Sequence, residues 1–302
     1  MASPKLRAFR ERALYRALVF VSAIGRRIPL RVGQFLGRAL GRLAWHVARR
    51  ERRKALAHVG IAFPNWTDAR REETIRAMFR HLGMSVFELA WLPNLKHGAK
   101  QSKFEGHERL LEVIDSGRGV VIFTAHCGNW EWLSFATGLL GRPVSVLQRE
   151  RDSPEMNRYI TGLRAHANVH TIDRGSVSSA RDMIQAIRRG GILAFVIDQN
   201  IRTESVRVPF FGRDALTPIG PAKLAVRTEA VVIPAVAERL PDGTHRLQFL
   251  DPIQCTRNDD PTELTARVTK LIEDQIRRVP EQWVWMHDRW RERPKWDVTG
   301  ER

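Results

Sequence analysis

A chain of 302 residues with 43% hydrophobic content is long enough for one large α/β domain with an appendage, and too apolar to be disordered. Its two cysteines, Cys127 and Cys255, exclude a disulfide framework and a zinc set, so no metal is expected. The formal charge of +17 is concentrated: residues 1–54 hold fifteen Lys/Arg against Glu11 and Glu51, which places 15 − 2 = +13 in one terminal arm. No recognised nucleic-acid motif accompanies that arm, and no nucleic-acid partner is expected.

The arm is also apolar in patches, with Leu14, Leu18, Val19, Phe20 and Ile24, then Phe35, Leu36, Leu40, Leu43 and Trp45. Spacings of three and four predict amphipathic helices. The longest stretch free of charge, Ala17 to Gly25, is nine residues, whereas a spanning helix needs about twenty. Arg26-Arg27 close the apolar run and no small-residue cleavage site comes after it, so no signal peptide is expected and no clear transmembrane segment stands out, which leaves open whether the arm spans or lies on a membrane. With no export signal, the body should face a reducing cytoplasm. A basic, aromatic, amphipathic arm reads as an interfacial anchor on anionic lipid, the alternative being a solvated face packed onto the domain. The chain therefore divides into 1–54 for the arm and 55–302 for the catalytic domain.

Beyond the arm, Ile75, Met78, Phe79, Leu82, Val86 and Leu89 predict a helix over 69–92, started by Asn65 or Thr67 and stopped by Pro93. A helix over 107–116 ends at Gly117. Strands are predicted at 120–126, 143–148, 169–172, 191–197, 230–236 and 246–250, the last antiparallel at the sheet edge. Helices fall between most of them, at 130–140, 153–167, 178–189, 218–227 and 262–279. Such alternation predicts an α/β fold, a mostly parallel central sheet flanked by helices, with the basic amphipathic segment at its N-terminus.

The most informative stretch is Val120 to Glu131. A buried strand ends at His126, Gly128 and Asn129 suit a tight turn, and Trp130 opens a helix. Catalytic groups of open α/β sheets gather at such strand ends. A neutral imidazole takes a proton from an alcohol, and a nearby carboxylate, here Glu131, holds its tautomer. Free N–H groups near Gly128, Asn129 and Trp130 suit an oxyanion. The plain alternative is a hydrogen-bonded structural His with Glu131 complementing the helix dipole. Cys127 reads as a small packing residue.

A second strand delivers Asp198 and Gln199 at its end, either to orient substrate in the same crevice or to cap the next element. Arg149, Arg151, Arg158 and Arg164 form either a phosphate clamp or a solvated helix face. Val208-Pro209-Phe210-Phe211-Gly212 reads as a loop whose aromatic pair either joins the core or floors an acyl-chain groove. Thr217-Pro218 then marks a helix start. The Trp- and Arg-rich run 281–290 suits a membrane interface or packs against the domain.

HCGNWE at 126–131, Asp198-Gln199, VPFFG at 208–212 with Thr217-Pro218, and EQWVWMHDRW at 281–290 occur in order, with AFPNW at 62–66 and Phe87-Glu88-Leu89. Together they resemble the lipid A biosynthesis secondary (lauroyl and myristoyl) acyltransferases of the lysophospholipid acyltransferase superfamily. The resemblance implies an α/β body on the cytoplasmic face of the inner membrane. It implies transfer of an acyl chain from acyl carrier protein to a hydroxyl of a membrane glycolipid, with no bound cofactor. By the family pattern His126 is the general base, Glu131 its partner, and Arg164 a basic position contacting substrate. Other members of the superfamily acylate mannosylated phosphatidylinositol or ornithine lipids. A hydrolase with water as acceptor would use the same residues. A basic membrane-bound scaffold is the non-enzymatic reading, and it leaves both polar strand ends unexplained.

Overall fold

A computed structural model describes residues 15–16, 19–20, 22–97, 99–149, 154–175 and 178–293. The central sheet has seven strands in the order β1-β9-β8-β2-β5-β3-β4. These are β1 (Ser102–Glu105), β2 (Val120–Thr124), β3 (Val144–Arg149), β4 (Val169–Arg174), β5 (Ile192–Val196), β8 (Val231–Arg239) and β9 (His245–Phe249). β2, β3, β4, β5 and β8 are mutually parallel. β9 runs antiparallel to β8, as expected, but it is not the edge: β1, which carries no apolar run, pairs parallel on its outer side. A separate hairpin joins β6 (Ser205–Phe210) and β7 (Arg213–Pro218).

β2 is buried along its whole length, as a strand covered on both faces must be. Its alternate residues feed two cores. Val121 and Phe123 meet α2 (Arg49–Ala62), α3 (Asp68–Trp91), α8 (Gly220–Thr228) and α9 (Pro261–Arg278). Val120 and Ile122 meet α4 (His107–Asp115) and α5 (Trp130–Gly138). The remaining helices of the body are α6 (Pro154–Ala165) and α7 (Ser179–Arg188). β2 stops at Thr124, two residues short of His126, because the chain there leaves the sheet to pair with the C-terminal segment.

The described part of the arm contributes α1 (Leu30–Val47). It lies along α3 at very close range: a Cβ at Gly37 would sit 2.5 Å from Met84 Cα, and one at Gly83 would sit 2.2 Å from the Gly37 carbonyl oxygen. Only glycine permits that approach. α1 thereby buries Gly33, Gln34, Gly37, Gly41 and Trp45, and turns Phe35, Leu36, Leu40, Leu43 and Val47 outward. Of the apolar residues expected on the arm's lipid face, Trp45 belongs instead to the core, while Leu14 and Leu18 lie outside the described residues. No helix among the described residues is long and apolar enough to cross a membrane. Residue 54 lies within α2.

Two local expectations are corrected. The VPFFG segment is not a loop but β6 and the tip of its hairpin, with Phe210 opposite Arg213 across the two-residue turn Phe211-Gly212. Both turn residues have positive φ, 54° and 74°, the geometry that matches strand twist, although Phe is an unusual occupant. The Phe211 N–H donates to Glu273 Oε2 at 2.6 Å, which anchors the tip to α9. Thr217 and Pro218 close β7 rather than open a helix. Ile219 caps α8, and Pro221 occupies its first turn.

Candidate active site

β2 and β5 are paired with Thr124 opposite Val196, so the residues two positions further on, His126 and Asp198, emerge side by side at the C-terminal edge. Asp198 Oδ1 lies 2.8 Å from His126 Nδ1. Its Oδ2 accepts from the His126 backbone N–H at 2.9 Å and from Trp283 Nε1 at 2.7 Å. The Asp198 side chain is 1% exposed and that of His126 21%, so the carboxylate is enclosed while the imidazole is partly accessible. Burial alone would push the Asp198 carboxyl up, but His126 and these hydrogen bonds outweigh it and hold the group below its usual range. An ionised acceptor at Nδ1 places the proton on Nδ1 and leaves Nε2 with its lone pair.

The contacts differ from the pairing expected from sequence. Glu131 does not partner His126. It forms a bidentate ion pair with Arg164, whose Nε and Nη2 donate to Glu131 Oε2 and Oε1 at 3.0 and 2.6 Å. Gln148 Oε1 accepts from the same guanidinium at 2.6 Å. Glu131 lies in the first turn of α5 and points across to α6, while the turn at Gly128 carries the chain away from the histidine. Trp130 takes the place beside the imidazole, edge-on at 4.8 Å.

Gly128 and Asn129, expected to bind substrate, have structural duties. The Gly128 N–H donates to the Gln282 carbonyl at 2.9 Å and is therefore not free for an oxyanion. Its φ of 65° and the 2.2 Å that would separate a Cβ from the Ala237 carbonyl oxygen make glycine necessary. Asn129 is buried and caps α5, its Oδ1 accepting from the Trp132 N–H at 3.0 Å, while its Nδ2 donates to Glu88 Oε2 at 2.8 Å. Trp130 and Glu131 remain in the first helical turn, where backbone N–H groups have no intrahelical acceptor.

Gln199 is half-buried beside Asp198. Arg149 ends β3, with its side chain outside what is described, and Arg151 lies outside the described residues altogether. Arg158 is exposed on α6, whereas Arg164 pairs with Glu131 in the first turn of α5, the helix that follows the histidine. Phe210 and Phe211 are both buried, in an aromatic cluster with Trp283, Trp285 and Phe63. Packing, not an open groove, is where the hairpin puts them. Cys127 is buried among apolar side chains, and burial together with the nearby Asp198 charge pushes its thiol far up, so it is no nucleophile.

Two further groups have duties at the site that their sequence patterns alone do not state. The first is the C-terminal segment, which closes the site: Trp283 bridges to Cys127, Val284 N–H donates to the His126 carbonyl at 3.1 Å, and His287 Nε2 accepts from the Asn200 N–H at 2.8 Å. Burial, chiefly, lowers His287 to about 4, consistent with that acceptor role. The second is Glu88, which is fully buried on α3 and ion-paired with Arg239 at 2.5 Å. Gln34 of α1 and Asn129 of the catalytic turn also donate to it, each at 2.8 Å. Burial opposes its charge, but Arg239 and His245 hold it ionised, well below the usual carboxylate range. A charged residue amid the apolar positions of a helix was the available signal. Among the described residues no three His, Cys, Asp or Glu side chains gather to hold a metal ion.

A sequence model of the family described as bacterial lipid A biosynthesis acyltransferase matches residues 2–292. The chain is 28% identical to the lipid A biosynthesis lauroyltransferase of Escherichia coli K12 over 89% of its length and 88% of the relative's. It is 28% identical to the palmitoleoyltransferase of the same organism, over 88% of this chain and 87% of that one. Similarity extends to a phosphatidylinositol mannoside acyltransferase of Mycolicibacterium smegmatis, at 24% identity over 72% of this chain and 73% of the relative.

Proposed function

Since the chain belongs to the bacterial lipid A biosynthesis acyltransferase family, and is thus an O-acyltransferase, we propose that it moves a fatty acyl chain from an acyl carrier protein thioester to a hydroxyl of a lipid A precursor. The observation that carries this reading is the His126–Asp198 pair at adjacent parallel strand ends. Nε2 of His126 takes the proton of the acceptor hydroxyl, and the oxygen bonds to the thioester carbonyl carbon. The tetrahedral oxyanion is stabilised by N–H groups in the first turn of α5. Its collapse breaks the C–S bond, and the imidazolium returns its proton to the departing thiolate. Asp198 keeps the proton on Nδ1 and stabilises the imidazolium. Glu131 serves by holding Arg164, an ion pair that ties the first turn of α5 to α6.

The reaction takes place on the cytoplasmic face of the inner membrane. α1 supports this, because it sets Phe35 (62% exposed), Leu43 (60%) and Val47 (73%) outward on a strongly basic segment. Apolar side chains flanked by arginine suit the headgroup boundary of anionic lipid. Incubating purified full-length chain with acyl carrier protein carrying a labelled lauroyl group, together with a lipid A precursor, tests the proposal. Label should move to the lipid, and His126→Ala should abolish the movement. Release of free fatty acid with no lipid product would instead identify a hydrolase.

A further inference from the structure

Beside the catalytic turn lies a cleft of about 250 Å³ that the reaction as described does not use. It opens where β8 ends at Arg239. β8 is parallel to β2, so this is the same sheet edge that carries His126. Gln282 forms one wall, and its carbonyl accepts from the Gly128 N–H, two residues from the histidine. Arg38 of α1 and Arg80 of α3 form the opposite side. Both are half-buried, and neither has an acidic or hydrogen-bonding partner among the described residues. The other charges are largely spoken for. Arg239 is matched by Glu88 and donates to His81 Nδ1 at 2.7 Å, and Glu238 is matched by Arg246 at 2.8 Å. Of the lining carboxyls that leaves Glu281, whose pKa is raised by burial and then by Glu238, against two unpaired guanidiniums. Arg38 is also on the helix whose outer face bears the exposed apolar residues, so the cleft lies under the proposed membrane contact.

We infer that Arg38 and Arg80 form a subsite for a phosphate group of the lipid acceptor, which fixes the acceptor's headgroup while its hydroxyl reaches His126. The inference rests on the proposed transfer to a membrane glycolipid. It adds which residues of this chain hold the acceptor's headgroup, Arg38 of α1 and Arg80 of α3. Paired guanidiniums suit it because each offers parallel N–H donors that match two phosphate oxygens.

The test uses full-length chain in detergent micelles and the variant R38Q/R80Q, with melting temperature confirming that the variant folds. With a phosphorylated lipid A precursor, the variant should raise KM at least tenfold and act on KM rather than kcat. With the same acceptor after phosphatase treatment, wild type and variant should share one KM, and R38K/R80K should recover part of the loss. An equal KM change on both acceptors would overturn the subsite. So would a parallel loss of flotation on vesicles of phosphatidylcholine and phosphatidylglycerol, which would mean that the arginines only adsorb to the bilayer. Calorimetric titration with glucose 1-phosphate separates this from the catalytic proposal: the variant should bind at least tenfold more weakly even if no acyl transfer is found. Binding of inorganic phosphate by wild type, with no effect of R38Q/R80Q on acceptor KM, would mark a free-anion site and refute the headgroup assignment.

Discussion

The two ends of the chain are alike in composition and opposite in fate. Each is rich in arginine and carries large apolar or aromatic side chains, and each on composition suits a membrane interface. α1 turns Phe35, Leu43 and Val47 to the outside, whereas the segment 283–290 buries Trp283, Trp285 and Arg289 almost completely. Composition does not separate these outcomes, but partners do. On α1 the close-packing stripe is glycine, which leaves the bulky residues on the far side of the helix. In the C-terminal segment each large side chain finds a buried acceptor: Trp283 bonds Asp198, Trp285 Nε1 donates to the Pro280 carbonyl at 2.6 Å, and Arg289 Nη2 donates to Thr217 Oγ1 at 2.6 Å. One end therefore turns its bulky side chains outward, and the other folds them in around the site.

The largest effect should come where the C-terminal segment meets the site. Asp198→Asn retains the volume but not the charge, and should lower the single-turnover rate of transfer about 10³- to 10⁴-fold. Trp283→Phe, which removes one donor from the same carboxylate, should lose far less, roughly tenfold. Denaturant unfolding should show that Phe210→Ala costs about 3–5 kcal/mol, because its ring is wholly enclosed by the C-terminal tryptophans. A shift toward longer acyl donors at unchanged stability would return Phe210 to a substrate groove.

A pH effect of similar origin should arise from His287. The folded group titrates at about 4 and the unfolded one at its ordinary 6.5, so between those values the unfolded chain binds the extra proton. Stability should therefore fall as pH drops from about 6.5 to 4, by about 3 kcal/mol from this residue, and be indifferent to it above 6.5. His287→Gln should flatten that part of a melting-temperature profile. The smallest stability effect belongs to the other end. Leu36→Ser, Leu40→Ser and Leu43→Ser together should change unfolding free energy by no more than about 0.5 kcal/mol each, yet should abolish flotation with anionic vesicles. If they unfold the protein instead, the outer face of α1 is covered by something other than lipid.

The sheet and most helices were legible because buried strands write continuous apolar runs and helices write spacings of three and four. What could not be read was adjacency. Glu131 is five positions from His126 in sequence and Asp198 is seventy-two, yet the β2–β5 register makes the distant carboxylate the neighbour. The same limit hid β1, which lacks a run, and the hairpin, whose tip uses Phe-Gly where Asn-Gly is usual. Asn129 and Gly128 stand at the turn as expected, and the contacts they make there are structural. Their partners, Glu88 and Gln282, come from a helix and a terminal segment that no local pattern connects to the strand end. Arg164 and Glu131 both stand out in the sequence, but their pairing joins two helices thirty-three residues apart and leaves no local pattern.

Selective ¹⁵N labelling of the histidines, with His126 assigned by substitution, tests most directly whether Asp198 holds the imidazole as a base. Near neutral pH His126 should carry its proton on Nδ1, with a strongly downfield N–H resonance that Asp198→Asn removes and Glu131→Gln leaves in place. A proton on Nε2, or a resonance lost in Glu131→Gln and kept in Asp198→Asn, would contradict it.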